Sequence, residues 1–173
     1  SKQGGYEIYV NGPKIAIKLW DALFEEGKAF NVRAGCPNLI ERIEGGLLSY
    51  GNDMTIENTP FECGLGKFLQ EKIPNVCISA RALNSDKIRN PKKIIRSISI
   101  DYKEKIYCES IWKVVDEKNN YVGQITSGAF SPDFNKIVAL GMINKDCANN
   151  KNRLFTLING KKYLIHIHEK PFI

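Results

Sequence analysis

Glu7 and Tyr9 stand two residues apart in Tyr6-Glu7-Ile8-Tyr9-Val10, where the alternation over residues 7–10 predicts a β-strand. Positions two apart on a strand project to one face, so a carboxylate and a phenol enter the same space. A carboxylate with two acceptor oxygens matches a ring that presents adjacent N–H groups. The same pattern also fits an edge strand turning its polar side to water. Arg42 offers a two-pronged donor for a ligand carboxylate, or a cap for a neighbouring strand. Glu44 lies two residues further along a helix and does not face Arg42, so no direct pair between them is expected. Tyr50 precedes the turn Gly51-Asn52-Asp53, where it can stack on a flat ligand or pack as an ordinary tyrosine.

Other reactive types are less organised. His166 and His168 share one face of a terminal strand and are the only 2 histidines in the chain. No third ligand matches them, so no metal is expected. The 5 cysteines (Cys36, Cys63, Cys77, Cys108 and Cys147) form no CxxC pair and show no regular spacing. They read as reduced, mostly buried thiols of a cytoplasmic protein. Cys36 precedes a proline-led helix whose dipole lowers a thiol pKa, but no histidine is near it in sequence and no catalytic cysteine is expected. Phosphate-binding glycine loops, the dinucleotide fingerprint and the serine elbow are all missing from the sequence. The net charge of +6 comes largely from Lys87, Arg89, Lys92, Lys93, Arg96, Lys103 and Lys105, with Lys161, Lys162 and Lys170 near the end. Aromatic residues for base stacking are not interleaved with this run, so no nucleic-acid partner is expected. A polyanionic small ligand would gain from the same field.

These residues need a scaffold, and its elements are legible. Asn11-Gly12-Pro13 ends the first strand and starts a helix carrying Ile15, Leu19, Ala22 and Leu23, with Gly27 as its stop. Pro37 opens a second helix with Leu39, Ile40 and Ile43, broken at Gly45-Gly46. Residues 50–67 are rich in turn formers, and glycine-rich loops of this kind allow close backbone approach to a ligand. From Lys92 the period becomes two, with strands expected up to residue 100 and at 106–115, 121–127, 137–143, 154–158 and 162–168. Asn159-Gly160 is a two-residue hairpin signal. The fold class expected is α+β: a partial α+β region over residues 1–90, then a small all-β barrel over 91–173. No apolar run approaches the ~18–20 residues that cross a bilayer. The chain enters its first strand almost at Ser1, and a piece of a longer protein is expected.

Four segments resemble, in order, the folate-dependent aminomethyltransferase superfamily. They are Gly4-Gly5-Tyr6-Glu7-Ile8-Tyr9; Arg42-Ile43-Glu44-Gly45-Gly46 with Tyr50-Gly51-Asn52-Asp53; Thr59-Pro60-Phe61-Glu62-Cys63-Gly64-Leu65-Gly66; and Gly123-Gln124-Ile125-Thr126-Ser127-Gly128-Ala129-Phe130-Ser131-Pro132. The resemblance implies tetrahydrofolate as cofactor, with Glu7 holding the pterin and Tyr9, Tyr50 and Arg42 as further cofactor-binding candidates. It leaves the catalytic residues unassigned in this chain. Pro37, Asn38 and Leu39 stand where the glycine-cleavage members usually read Ala-Arg-Asp. The stretch Arg33-Ala34-Gly35-Cys36-Pro37-Asn38-Leu39 is instead similar to the sulfonium demethylases. That branch implies methyl transfer from dimethylsulfoniopropionate, or a related donor, to tetrahydrofolate. Aminomethyl transfer in glycine cleavage and folate binding without turnover are the alternatives. A small-molecule substrate and no membrane partner are expected, with room for a homodimer.

Overall fold

Alternating Ile, Ser, Val and Gly positions build the centre of the molecule. In the computed structural model, which describes residues 5–35, 38–149 and 151–173, six antiparallel strands close into a barrel. They are β1 (Lys93–Ile100), β2 (Trp112–Val115), β3 (Tyr121–Ser131), β4 (Lys136–Asn144), β5 (Leu154–Ile158) and β6 (Lys161–His168), in the spatial order β1-β4-β3-β2-β5-β6. Ile98, Ile100, Val114, Ile125, Ile137, Ile143, Leu154 and Ile165 fill the interior. Ile158 and Lys161 pair across Asn159-Gly160, whose φ values of 50° and 76° are both positive, as a type I′ turn requires.

β3 and β4 are buried along almost their whole length. The barrel core lies on one side of them. On the other, Ala129, Val138 and Leu140 pack with Ile43 of α2 (Leu39–Glu44), with Ile40, Ile95 and Phe172 around them. The chain end straps this layer down. The backbone N–H of Phe172 donates to Glu44 O at 2.9 Å, and His168 packs against Phe172 in a tilted arrangement, ring centroids 4.9 Å apart.

α1 (Pro13–Gly27) begins on its proline and ends on its glycine, as the sequence predicts. Its side chains Ile15, Ile17, Trp20 and Leu23 are exposed. The linker to the barrel carries two short helices, α3 (Ala80–Leu83) and α4 (Asp86–Arg89). Asn84 fastens it by accepting from the N–H of Ile73 and donating to the same residue's carbonyl, both at 2.9 Å. Among the described residues, no helix is long and apolar enough to cross a membrane.

Two expected strands come out differently. Residues 5–10 form no strand. An extended segment becomes a strand only when a neighbour completes its hydrogen-bond ladder, and no described strand pairs with this one. The strand expected at 106–115 shrinks to Trp112–Val115. Ahead of it Tyr107 makes a single bridge to Ala129, and the Cys108 thiol bonds back to the Ser110 carbonyl at 3.1 Å, which holds a turn.

Strands β3 and β4 touch at Gly123, where a Cβ would sit 2.4 Å from the Met142 carbonyl oxygen and 2.8 Å from Ile143 Cα. Gly123→Ala is expected to destabilise the barrel by about 1–3 kcal/mol in chemical denaturation; an unchanged midpoint would contradict this apposition. His168 makes a second test. Burial, then the neighbouring His166 and Lys136, hold its pKa below the ordinary 6.5. The unfolded chain therefore takes up the proton first, and stability falls as pH drops through about 6.5 towards the lower folded value. His168→Gln should flatten that part of the stability profile.

Candidate functional site

The segment around Tyr50 is fixed to the barrel by one buried carboxylate. α2 starts where the Asn38 side chain accepts from the Ile40 N–H at 2.9 Å, an N-cap. The helix stops at Gly45 and Gly46, and Gly46 adopts φ +66° with Pro171 packed against its α-carbon. The chain then turns back, and Asp53 Oδ2 accepts from the Ser49 N–H at 2.8 Å and from Arg42 at 2.9 Å. Asp53 Oδ1 accepts from the hydroxyls of Thr126 at 2.7 Å and Ser127 at 2.6 Å. Two donors on each oxygen satisfy the carboxylate, which is why an Asp side chain at 0% exposure is tolerable there.

Ser127 closes the arrangement. Its Oγ donates to Asp53 and accepts from Arg42 and from the Asn52 amide, each at 2.7 Å. That uses the hydroxyl's one proton and two lone pairs. Thr126 and Ser127 are adjacent, and a regular strand would point them to opposite faces. The register slips between Ile125 and Ser127, and this β-bulge aims both hydroxyls at one carboxylate. A second anchor lies nearby, where the Ser131 hydroxyl donates to the buried Glu44 at 2.6 Å. Arg42 and Glu44 thus serve separate partners, as their spacing predicts.

The expected cofactor-binding residues fall into separate places. Glu7 and Tyr9 do meet: the Tyr9 hydroxyl donates to Glu7 Oε2 at 2.6 Å, and this bond raises the Tyr9 pKa. Both are exposed, on the extended segment before α1. Tyr50 is 67% exposed on the rim of the Asp53 turn, which a bridge from Tyr50 to Met54 closes. Arg42 donates from Nη1 to Asp53 and the Leu47 carbonyl and from Nη2 to Ser127. No hydrogen bond among the described residues joins the Glu7–Tyr9 pair to the Arg42–Asp53 group. Asp53, Thr126, Ser127 and Asn52 carry the site's geometry, although sequence reasoning saw them only as parts of two motifs.

The thiols are varied. Cys63 is buried, Cys108 and Cys147 are half-buried and Cys77 is exposed. Burial pushes the Cys108 pKa up to about 11 and raises those of Cys63 and Cys147. Cys36 and Pro37 lie outside the described residues.

Comparison with known proteins adds an independent line. Residues 1–72 match the family described as the GCVT N-terminal domain, and residues 96–173 match the glycine cleavage T-protein C-terminal barrel domain. The chain is 49% identical over 145 residues to a dimethylsulfoniopropionate demethylase of Ruegeria pomeroyi, covering 84% of this chain and 39% of that protein. It is 28% identical over 175 residues to an aminomethyltransferase of Porphyromonas gingivalis, covering 98% of this chain and 47% of the relative. A crystal structure of the glycine cleavage system aminomethyltransferase T from Bartonella henselae superposes with a TM-score of 0.67 at 26% identity, over 76% of this chain and 37% of that one. The chain spans less than half the length of each of these relatives.

Removing the charge from the clasp gives its sharpest test. Asp53→Asn leaves Arg42 facing a neutral amide and is expected to cost about 3–5 kcal/mol of stability. Asp53→Asn combined with Arg42→Met should cost less than the sum of the single changes. Strict additivity in a double-mutant cycle would show that the two side chains act apart. In thiol labelling at mildly alkaline pH, Cys77 should react well before Cys108; the reverse order would contradict the burial described.

Proposed function

We propose, since the chain belongs to the glycine cleavage T-protein family, that it forms the C-terminal portion of a tetrahydrofolate-dependent demethylase acting on dimethylsulfoniopropionate. The reaction moves one methyl group from the sulfonium sulfur to N5 of tetrahydrofolate, which gives up its N–H proton to solvent, yielding 5-methyltetrahydrofolate and methylmercaptopropionate. The observation that carries this reading is the 49% identity to a demethylase of that substrate, against 28% for the aminomethyltransferase that spans nearly the whole chain. Asn38 supports it. A short neutral side chain occupies a position where the glycine-cleavage members usually have arginine, and here it caps a helix. We further propose that residues 1–90 belong to the folate-binding region and 91–173 to the barrel module, in a polypeptide working in the cytoplasm.

The residues present fit a reduced pterin. Glu7 has one oxygen held by Tyr9, which fixes the carboxylate's orientation, while Oε1 makes no hydrogen bond among the described residues. A carboxylate so oriented suits the paired N–H groups of a pterin edge, a charge-assisted contact stronger than a neutral one. Tyr50 offers a ring face on a turn that Asp53 holds rigid. Arg42 acts in this reading as a positioning residue, through Asp53 and Ser127. When bound, tetrahydrofolate supplies the nitrogen that accepts the one-carbon unit. The sulfonium sulfur already leaves well by taking the bonding electron pair. Alignment is then the protein's main task, worth up to about 7–11 kcal/mol in oriented systems.

The test uses the full-length protein with tetrahydrofolate, supplied in parallel with dimethylsulfoniopropionate and with the glycine cleavage components. Methyl transfer from the sulfonium compound is expected. Activity with glycine cleavage alone would transfer the assignment to aminomethyl chemistry, which the near-complete coverage by aminomethyltransferases makes the second reading. Glu7→Gln should weaken tetrahydrofolate binding about tenfold or more, the value of a hydrogen bond to a charged group. Unchanged affinity would remove Glu7 from the site.

A further inference from the structure

On the outer face of the barrel, away from the Asp53 clasp, β1, β4, β6 and the turn before β5 enclose a concavity of about 540 Å³. Cationic or protonatable side chains from three separate elements line it: Lys136 on β4, Arg153 before β5, and His166 and His168 on β6. Asp101, just after β1, is its one carboxylate among the described residues, and Ser99 and Asn152 add neutral polar groups. Solvated cations on a surface ordinarily diverge, because crowding like charges into a concavity raises their mutual repulsion.

Asp101 answers only part of that charge. It lies 3.4 Å from Lys136 Nζ and 3.5 Å from His166 Nε2, both longer than a good charged hydrogen bond, and its side chain is 70% exposed. Arg153 stands 3.4 Å from Glu117, again an exposed pair. Exposed pairs of this length are worth little and are readily replaced by a better acceptor. At the inner edge, the half-buried His168 is held by Ser99 Oγ at 2.9 Å from Nε2 and by its tilted contact with Phe172. Burial, and then the neighbouring His166 and Lys136, lower the pKa of that ring. Lys136 and Arg153 are the fixed cations of the lining, each with only an exposed, long carboxylate partner, Asp101 and Glu117.

We propose that this concavity binds a small phosphomonoester, its phosphate dianion held between Lys136, Arg153 and the His166–His168 edge. The volume is far more than one phosphate group fills, which leaves space for an organic remainder beside Leu164. This site is independent of the demethylase reading, since it shares none of the residues assigned to tetrahydrofolate. A bound dianion favours a protonated His168, so binding takes up a proton there and tightens as pH falls from about 8 towards 7, above the range where the phosphomonoester itself, with a second pKa of about 6, loses its second charge.

The experiment is calorimetric titration of the full-length protein with glycerol phosphate and with inorganic phosphate, at about pH 7 and about pH 8, where the monoester dianion predominates. Glycerol phosphate should bind saturably, more tightly than the inorganic ion, and more tightly at the lower pH. The doubly substituted Lys136→Gln, Arg153→Gln protein should lose about tenfold or more in affinity, whereas Lys118→Gln, outside the concavity, should bind as the parent does. Thermal melting of each variant confirms that it remains folded. Equal or tighter binding of the inorganic ion would overturn the monoester assignment. No saturable binding of either probe, or undiminished binding by the doubly substituted protein, would overturn the site.

Discussion

A carboxylate whose side chain has no exposure to water fixes how the segment before the barrel docks on it. Asp53 would be strongly unfavourable as a buried ion unless every lone pair found a donor. Its four donors are the Ser49 N–H, Arg42, Thr126 and Ser127. Two of these precede the barrel in sequence and two belong to its third strand. Docking of α2 on the barrel is therefore directional, fixed by hydrogen-bond geometry, whereas the apolar contacts of Ile43 with Val138 and Leu140 supply attraction without a unique register.

That constraint accounts for features that otherwise look separate. The β-bulge at Thr126 places two neighbouring hydroxyls on one side of β3. Gly141 opposite it accommodates the distortion, since a Cβ there would lie 2.8 Å from the Gln124 carbonyl oxygen. The Gly45-Gly46 break ends α2 early enough for the chain to return to Ser49, and Glu44 adds a second buried carboxylate, bonded to Ser131. Tyr50 consequently stands exposed on a turn that cannot drift. A rigid turn presenting one aromatic ring is a good support for a flat ligand, because little conformational freedom is lost when the ligand arrives.

Much of the barrel was legible in the sequence because alternation and turn chemistry are local signals. The period-two pattern from Lys92, the Asn159-Gly160 hairpin and the proline-to-glycine span of α1 all register within a few residues. The strand expected at 7–10 failed for a non-local reason: alternation shows which face a strand would bury, but not whether a neighbour exists to pair with it. The clasp was hidden for another reason. Strict alternation assigns Thr126 and Ser127 to opposite faces, and only the bulge reverses that. Arg42 was noticed as a cation near a candidate site, but its partner Asp53 lies on a different turn, and their encounter depends on the break at Gly45-Gly46. Glu7 and Tyr9 could be paired from spacing alone, and they do bond, although extended backbone rather than a strand brings them together.

The most direct measurement is a crystal structure of the full-length protein with tetrahydrofolate bound. The account predicts both Glu7 carboxylate oxygens within hydrogen-bond reach of the pterin or of Tyr9. It also predicts the Tyr50 ring at the ligand, and Arg42 still bonded to Asp53 and Ser127. A pterin seated elsewhere with Glu7 in open solvent, or Arg42 turned from Asp53 onto the ligand, would contradict it.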